Sequence, residues 1–280
     1  MRKTYYLIVA ILFLALLLVG CGQETEEVSG EAEESDATAG ESVEQGDVLE
    51  RIEEAGTLRV GFEGTYPPFN YQGDGEDFIG FDVDISKEVA TRLGVEVEFI
   101  TSKWAGLIGG LNADKFDVIV AQMTVTEERA ESVDFTDPYV VTGAVIVTHN
   151  DTNDIETLDD LDGKKVGAAA GTSFADLAEQ AEGADVNLYD GGFSTYVNDV
   201  VNKRLDALVN DSLVMGYNIE ESGLPIKVAS ELLSKDANAM AVKKGNEDFV
   251  EKMNEILAEM EEDGTYDEIF MEWFGMEPLE

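Results

Sequence analysis

The chain reads as an α/β protein of two lobes that face each other across a cleft, and three features lead there. Strand-like and helix-like segments alternate after residue 47; the alternation starts afresh at Lys164; and the C-terminal stretch offers one strand and two helices without a sheet of its own. With 280 residues and 44% apolar side chains, the chain can fill two such cores.

The first half runs strand, helix, strand, helix, strand. Residues 58–62 form a short buried strand. Ile85, Val89 and Leu93 recur every four residues, which stacks them on one face of a helix over 82–93, and Gly94 ends it. Val95, Val97 and Phe99 alternate with Glu96 and Glu98, the period of a half-buried strand. Leu107, Ile108 and Leu111 make a short helix ahead of a strand at 116–121, and right-handed crossovers are expected between these strands.

In the second half, 165–169 is a strand, Gly171-Thr172-Ser173 turns into a helix running towards Ala181, and 186–188 is a strand. Ser194 is expected to cap a helix with Val197, Val200 and Val201 inward, before a strand at 206–210. The tail supplies a strand at 240–242 and amphipathic helices over 247–261 and 265–274, which most simply complete the first lobe. Strands near 140–147 and 239–242 would join the lobes as a two-strand hinge. The lobes are thus placed at 48–141 plus 240–280 and at 142–239. Ligands of open α/β sheets sit beyond the carboxyl ends of the strands, here inside the cleft.

Charge narrows the function. Sixty Asp and Glu face 18 Lys and Arg, for a net charge of −42. Phosphate backbones would repel such a surface, so nucleic acid is not an expected partner. One Cys excludes an intrachain disulfide framework and a cysteine zinc site; one His, His149, excludes a multi-histidine metal site. No metal or cofactor is expected. His149 falls near the first crossover between lobes and reads as a linker residue.

Residues 1–20 look like a leader: Arg2 and Lys3, then an uncharged apolar run that is short for a spanning helix. Its ending, Leu18-Val19-Gly20-Cys21, resembles a bacterial lipobox, which would leave Cys21 lipidated and the chain anchored to the outer face of the cell membrane. Residues 22–47 hold ten acids, no Lys or Arg and no aromatic residue, so 21–47 reads as a lipidated Cys with a disordered acidic tether. Losing Arg2 and Lys3 takes the net charge to −44, and setting aside the ten tether acids leaves −34 on residues 48–280. The acidity therefore belongs mainly to the folded body, either as a surface for a specific ligand or as solvation in a saline or alkaline habitat.

Five segments carry a family resemblance: Gly61-Phe62-Glu63-Gly64-Thr65-Tyr66-Pro67-Pro68-Phe69; Gly80-Phe81-Asp82-Val83-Asp84-Ile85; Trp104 before a Leu-Ile-Gly-Gly-Leu helix; Met123-Thr124-Val125-Thr126-Glu127-Glu128-Arg129; and Gly171-Thr172-Ser173 with Arg204 to Asp211. In this order, across about residues 50–278, the chain resembles the bacterial family-3 extracellular solute-binding proteins, the amino-acid receptors of ABC importers. The resemblance implies a type II periplasmic-binding-protein fold, capture by lobe closure, and delivery to a membrane permease coupled to a cytoplasmic ATPase. A monomer is expected, and a lipidated Cys21 could not staple a dimer.

A free amino acid needs a cation for its carboxylate and an anion for its ammonium. Of six arginines, Arg129 is the one placed after a strand end at the expected cleft. By resemblance, Arg129 takes the carboxylate with Thr124, Asp211 takes the ammonium, and Tyr66 and Trp104 wall the side chain. Gln122, Met123, Gly171, Thr172 and Ser173 complete the expected set. Other readings stay open: Arg129 paired with Glu127 or Glu128 in solvent, Asp211 as the N-cap of the helix through Met215, Tyr66 and Trp104 as core fillers, and residues 80–85 as a structural helix start.

The run from Glu63 to Phe69 looks like that of cystine-binding members, and Glu63 could receive a second ammonium. Cystine or another polar amino acid ranks first, a cationic one second, with an amide such as glutamine possible. Ala121-Gln122 and Phe174 depart from the pattern of some cationic-amino-acid receptors. Some relatives on this fold are enzymes, notably cyclohexadienyl dehydratases, in which Glu63 or Asp211 would act as the acid. A sensory receptor is the third class.

Overall fold

The computed structural model describes residues 48–190 and 192–278; the leader, Cys21 and the acidic tether lie outside them. No helix among the described residues is long and apolar enough to cross a membrane.

Helix α1 (Val48–Ala55) leads into β1 (Thr57–Phe62) and a small three-stranded sheet of β2 (Thr65–Tyr66), β3 (Asn70–Gln72) and β4 (Phe78–Ile79). Then come α2 (Phe81–Leu93), β5 (Glu96–Thr101), α3 (Leu107–Asn112), β6 (Val118–Thr124), α4 (Glu127–Ala130) and β7 (Val133–Thr142). Beyond Gly143 the chain forms β8 (Ala144–His149), β9 (Lys165–Ala169), α5 (Ser173–Glu179), β10 (Asp185–Tyr189), α6 (Ser194–Val201), β11 (Ala207–Asp211), α7 (Ser212–Ser222) and β12 (Ile226–Val228). It returns through β13 (Asp236–Lys243), α8 (Glu247–Asp263) and α9 (Thr265–Phe274).

These strands build two five-stranded sheets, ordered β5-β1-β6-β13-β7 and β10-β9-β11-β8-β12. In the first, β1 pairs in parallel with β5 and β6, and β13 runs antiparallel to β6 and β7. In the second, β9 pairs in parallel with β10 and β11, and β8 runs antiparallel to β11 and β12. The chain crosses between sheets at Gly143 and again over 229–235. A Cβ at Gly143 would strike the carbonyl oxygen of Ser234, so the two crossing segments run in backbone contact there. Ser234 also accepts the Ala144 N–H through its Oγ at 3.0 Å.

Aromatic packing ties the tail to the first sheet. Phe81, at the start of α2 and fully buried, meets Phe69, Tyr139, Tyr266, Phe270 and Phe274 with ring centroids 5.2–6.1 Å apart. Burying a ring of this kind contributes about 2–3 kcal/mol. The cluster fixes the loop that ends at Phe69. Gly80 is needed beside it: its φ is 132°, and a side chain there would collide with the Phe69 carbonyl.

Some elements differ from expectation. β6 continues to Thr124, because Asn238 of β13 pairs with Thr124 and extends the ladder. β13 starts at Asp236, opposite Thr142, so Thr142 and residues 236–239 belong to the first sheet rather than the second. Ser194 is the first residue of α6 and not its cap; Phe193 precedes it without a capping side-chain bond. Val197 and Val200 do point inward, while Val201 is half-buried. His149 ends β8 and its Nδ1 accepts the Asp151 N–H at 3.1 Å, away from the cleft.

Candidate functional site

A cavity of about 180 Å³ lies between the sheets. The loop after β1 brings Glu63, Thr65 and Tyr66; the turn before α3 brings Lys103 and Trp104; the end of β6 and helix α4 bring Gln122, Thr124 and Arg129. From the second sheet come Thr172 and Ser173 after β9, Tyr189 and Asp190 at the end of β10, Phe193 and Tyr196 at α6, and Asn210 on β11. Every contributing strand does so at or beyond its carboxyl end, where side chains escape the ladder.

Arg129 stands on α4, whose N-cap Thr126 accepts the Arg129 N–H at 3.2 Å. Its guanidinium donates to the Thr124 carbonyl at 2.7 Å and to the Gly171 carbonyl at 3.1 Å, and lies 5.3 Å from the Trp104 ring centre. It forms no ion pair among the described residues. Neither Glu127 nor Glu128 forms an ion pair with it, and burial pulls its pKa below the usual value, opposed by the charges of Asp176 and then Glu128.

The Gly171 carbonyl also accepts the Trp104 indole N–H at 2.9 Å, and the Thr124 and Ser173 hydroxyls stand 3.2 Å apart. Tyr66 donates to Asn210 Oδ1 at 2.7 Å, and Asn210 Nδ2 donates to the Tyr196 hydroxyl at 2.6 Å. The cleft is thus bridged on both sides of the cavity. The Thr172 hydroxyl is used locally: it donates to the Ala169 carbonyl and accepts the Ala175 N–H.

A buried chain of hydrogen bonds aims the first-sheet residues. Asp82, 1% exposed, accepts from the Asn70 amide at 2.7 Å and the Tyr139 hydroxyl at 2.6 Å. Asn70 accepts the Gly64 N–H at 2.9 Å, and the Tyr139 hydroxyl accepts the Gln122 N–H at 2.8 Å. The loop bearing Glu63 and Tyr66 is therefore tied, through one carboxyl group, to Gln122 on β6. Gln122 is held at φ 51°, a left-handed conformation that costs a non-glycine residue about 1–3 kcal/mol and that such bonding sustains.

Three carboxyl groups near the cleft titrate high. Burial pushes Glu63 up to about 6, opposed by the Trp104 backbone N–H. Burial likewise lifts Asp82 to about 6 against the Tyr139 and Asn70 bonds. Asp211 also rises to about 6 by burial, opposed by the Val214 N–H and then by Thr142 and Gln122. Asp211 caps α7, its Oδ1 accepting the Leu213 and Val214 N–H groups at 2.9 and 3.0 Å. Its Oδ2 closes no hydrogen bond, nor does the Gln122 Nε2, although the two side chains lie close enough for Gln122 to lower the Asp211 pKa.

Of the expected residues, Glu63, Tyr66, Trp104, Gln122, Thr124, Arg129, Thr172 and Ser173 share one cavity. Met123 points away into the first-sheet core, 1% exposed. Gly171 meets the site through its carbonyl, and Asp211 lies fully buried beside Asn210 rather than on the cavity wall. Lys103, Asn210, Tyr189, Asp190, Phe193 and Tyr196 were not anticipated. Strand ends could have pointed to Tyr189 and Asn210; for Phe193 and Tyr196 only the tertiary fold supplies the signal. No cluster of side chains suited to a metal ion occurs among the described residues.

Residues 58–276 match bacterial extracellular solute-binding proteins, family 3. The chain is 37% identical over 230 residues to the L-cystine-binding protein TcyJ of Escherichia coli (strain K12), covering 81% of this chain and 86% of that protein. An ancestral arginine-binding protein bound to arginine superposes with a TM-score of 0.75 at 40% identity, over 79% of this chain and 99% of the other. The ancestral amino acid-binding protein AncCDT-1, a precursor of cyclohexadienyl dehydratase, has a TM-score of 0.75 at 33% identity, over 81% and 99% of the two chains.

Proposed function

Because the chain belongs to the family-3 bacterial extracellular solute-binding proteins, we propose that it captures a polar amino acid in the cleft and hands it to the permease of an ABC importer. The observation that carries this reading is Arg129: a half-buried guanidinium, without a carboxylate partner among the described residues, in a chain with 60 acids. A ligand carboxylate supplies the missing charge through two hydrogen bonds. Asp211, with one buried oxygen unbonded, answers the ammonium, and Tyr66 and Trp104 flank the side chain. A ligand that touches both sheets favours the closed arrangement, since only differential binding shifts such an equilibrium.

Cystine ranks first, cationic amino acids next and amides after them. Similarity to TcyJ and Glu63 at the cavity support that order. The lobes are read as residues 48–142 with 236–280 and 143–235, hinged where Gly143 meets Ser234. Cys21 is the proposed lipid anchor after cleavage of 1–20, residues 22–47 the tether, and the protein a monomer needing no cofactor. A second reading, a dehydratase, has one observation in its favour: Glu63 titrates near 6 and would hold a proton for a leaving hydroxyl.

Calorimetric titration with cystine, arginine, lysine, histidine and glutamine, after unfolding and refolding to shed co-purified ligand, tests the proposal. One-to-one binding of one of them at about micromolar affinity, about 8 kcal/mol, is expected. Silence across the panel, or steady release of water from a cyclohexadienyl acid, would replace it.

A further inference from the structure

Cations are scarce in this chain, and those of the first sheet are nearly all matched. Arg51 and Arg59 hold Asp117; Lys87 holds Asp84; Arg92 holds Glu88 and Asp263; and Lys243 holds Asp114. Lys252 pairs with Glu255, and Lys244 donates to the Ala130 carbonyl. Lys115 has no such bond, but it adjoins the Asp114 and Asp117 cluster at the far end of the sheet. Two cations are left at the cleft, Arg129 and Lys103, and both line the same cavity. Lys103 forms no ion pair or side-chain hydrogen bond among the described residues.

The acids of the cavity mirror them. Glu63 and Asp190 line it without a cationic partner among the described residues, and Asp211 lies behind it with Oδ2 unbonded. Trp104 divides the space. Its indole ring lies against Arg129, whereas its backbone N–H is turned to the Glu63 carboxylate, and Lys103 immediately precedes it in the chain. The site thus gathers two cations, Arg129 and Lys103, with Glu63 and Asp190 on its wall and Asp211 behind it.

We propose that Lys103 receives a second carboxylate of the ligand, with Glu63 taking the ammonium beside it, so that the cavity accepts a molecule with an amino-acid head at each end. The proposal rests on the amino-acid-receptor reading and deepens it. A two-headed amino acid such as a disulfide-linked dimer brings two carboxylates for Arg129 and Lys103 and two ammonium groups for Asp211 and Glu63, with Asp190 left over on the cavity wall. Arginine or lysine brings a single carboxylate and places its distal cation against Lys103, so Lys103 selects against one-headed cationic ligands. Because Lys103 is exposed at the rim, its effect is moderate and sensitive to salt.

The test compares L-cystine with the mixed disulfide of L-cysteine and cysteamine, which keeps the distal ammonium and lacks the second carboxylate. Dissociation constants are measured by calorimetry on the full-length protein in detergent, refolded free of ligand. The wild type should bind cystine about tenfold more tightly than the mixed disulfide, a ratio that narrows in high salt. Lys103→Met should bring the two ligands level by weakening cystine alone, with an unchanged melting temperature, and Lys103→Arg should restore the preference. An equal ratio in wild type and Lys103→Met, or a wild-type preference for the mixed disulfide, overturns the proposal. Tight binding of arginine without cystine overturns it while the receptor reading stands; absence of binding by any amino acid removes both.

Discussion

At the amino end of β6, Asp117 is held by Arg59 at 2.6 Å and Arg51 at 2.7 Å, with Lys243 and Asp114 beside them. At the carboxyl end of the same strand, Arg129 donates to the Thr124 carbonyl and has no carboxylate partner among the described residues. Titration follows the contrast. Burial pushes Asp117 up, but Arg59 and Arg51 outweigh it and hold the carboxyl below its usual range. Glu63 and Asp82, like Asp211 across the cleft on the second sheet, meet the same burial with no cation hydrogen-bonded to them, and each rises to about 6. One sheet therefore neutralises its charges at the end that only has to be stable and leaves them unmatched at the end that faces the cleft.

The largest effects should come from exchanging the arginines. Arg129→Ala should weaken amino-acid binding at least about 100-fold, the loss of a buried charge-assisted pair, while the melting temperature stays within a degree or two. Arg59→Ala should do the reverse. It strips a partner from a carboxylate that is 2% exposed and should cost about 2–3 kcal/mol in chemical denaturation, with affinity unchanged. Equal losses of affinity in both variants would erase the contrast.

Acidification should separate stability from binding. Carboxyls whose folded pKa lies above the unfolded value bind more protons when folded, so the stability of the free protein should rise as pH falls from 7 to 5. Asp117 and Asp263, both held low, withdraw their stabilisation only below about pH 4, outside that window. Glu63 and Asp211 must be ionised to meet ammonium groups, so affinity should fall over the same range, by about tenfold per carboxyl at one unit below its pKa. Denaturation and titration series at matched pH check the two opposite slopes; parallel slopes would mean that neither carboxyl contacts the ligand.

Glu63→Gln should weaken ligands with a distal ammonium about tenfold and leave glutamine unchanged. A uniform loss would assign Glu63 to the fold. Asp82→Asn turns an amide donor towards one of two donors and should cost about 1–2 kcal/mol of stability with about a threefold loss of affinity, as the loop bearing Tyr66 loses its tie to Gln122. A stability loss with no change in affinity would make that network purely structural.

Most of the fold was legible because its signals are local. The four-residue spacing of Ile85, Val89 and Leu93 predicts helix α2, and Gly94 closes it with φ 75°. Thr265–Phe274 follows its amphipathic pattern to the residue. The small sheet of β2, β3 and β4 was missed because its strands are two or three residues long and carry no period. At the site, Arg129 and Glu63 stood out as charged residues after strand ends, and Trp104 as an aromatic residue just ahead of a short helix in a family-like segment. Lys103 and Asn210 did not, because what marks them is a lack of ion pairs in one case and a partner 144 residues away in the other. Asp211 shows how one residue can answer two readings, since capping α7 engages Oδ1 and leaves Oδ2 unbonded.

The most direct test of the central claim, that the unmatched charges at the cleft end of the first sheet exist for the ligand, is a crystal structure of the protein with L-cystine. An α-carboxylate should lie about 3 Å from the Arg129 guanidinium, with an α-ammonium against Asp211. A ligand seated with its carboxylates away from Arg129, the guanidinium still donating only to the Thr124 and Gly171 carbonyls, would contradict it.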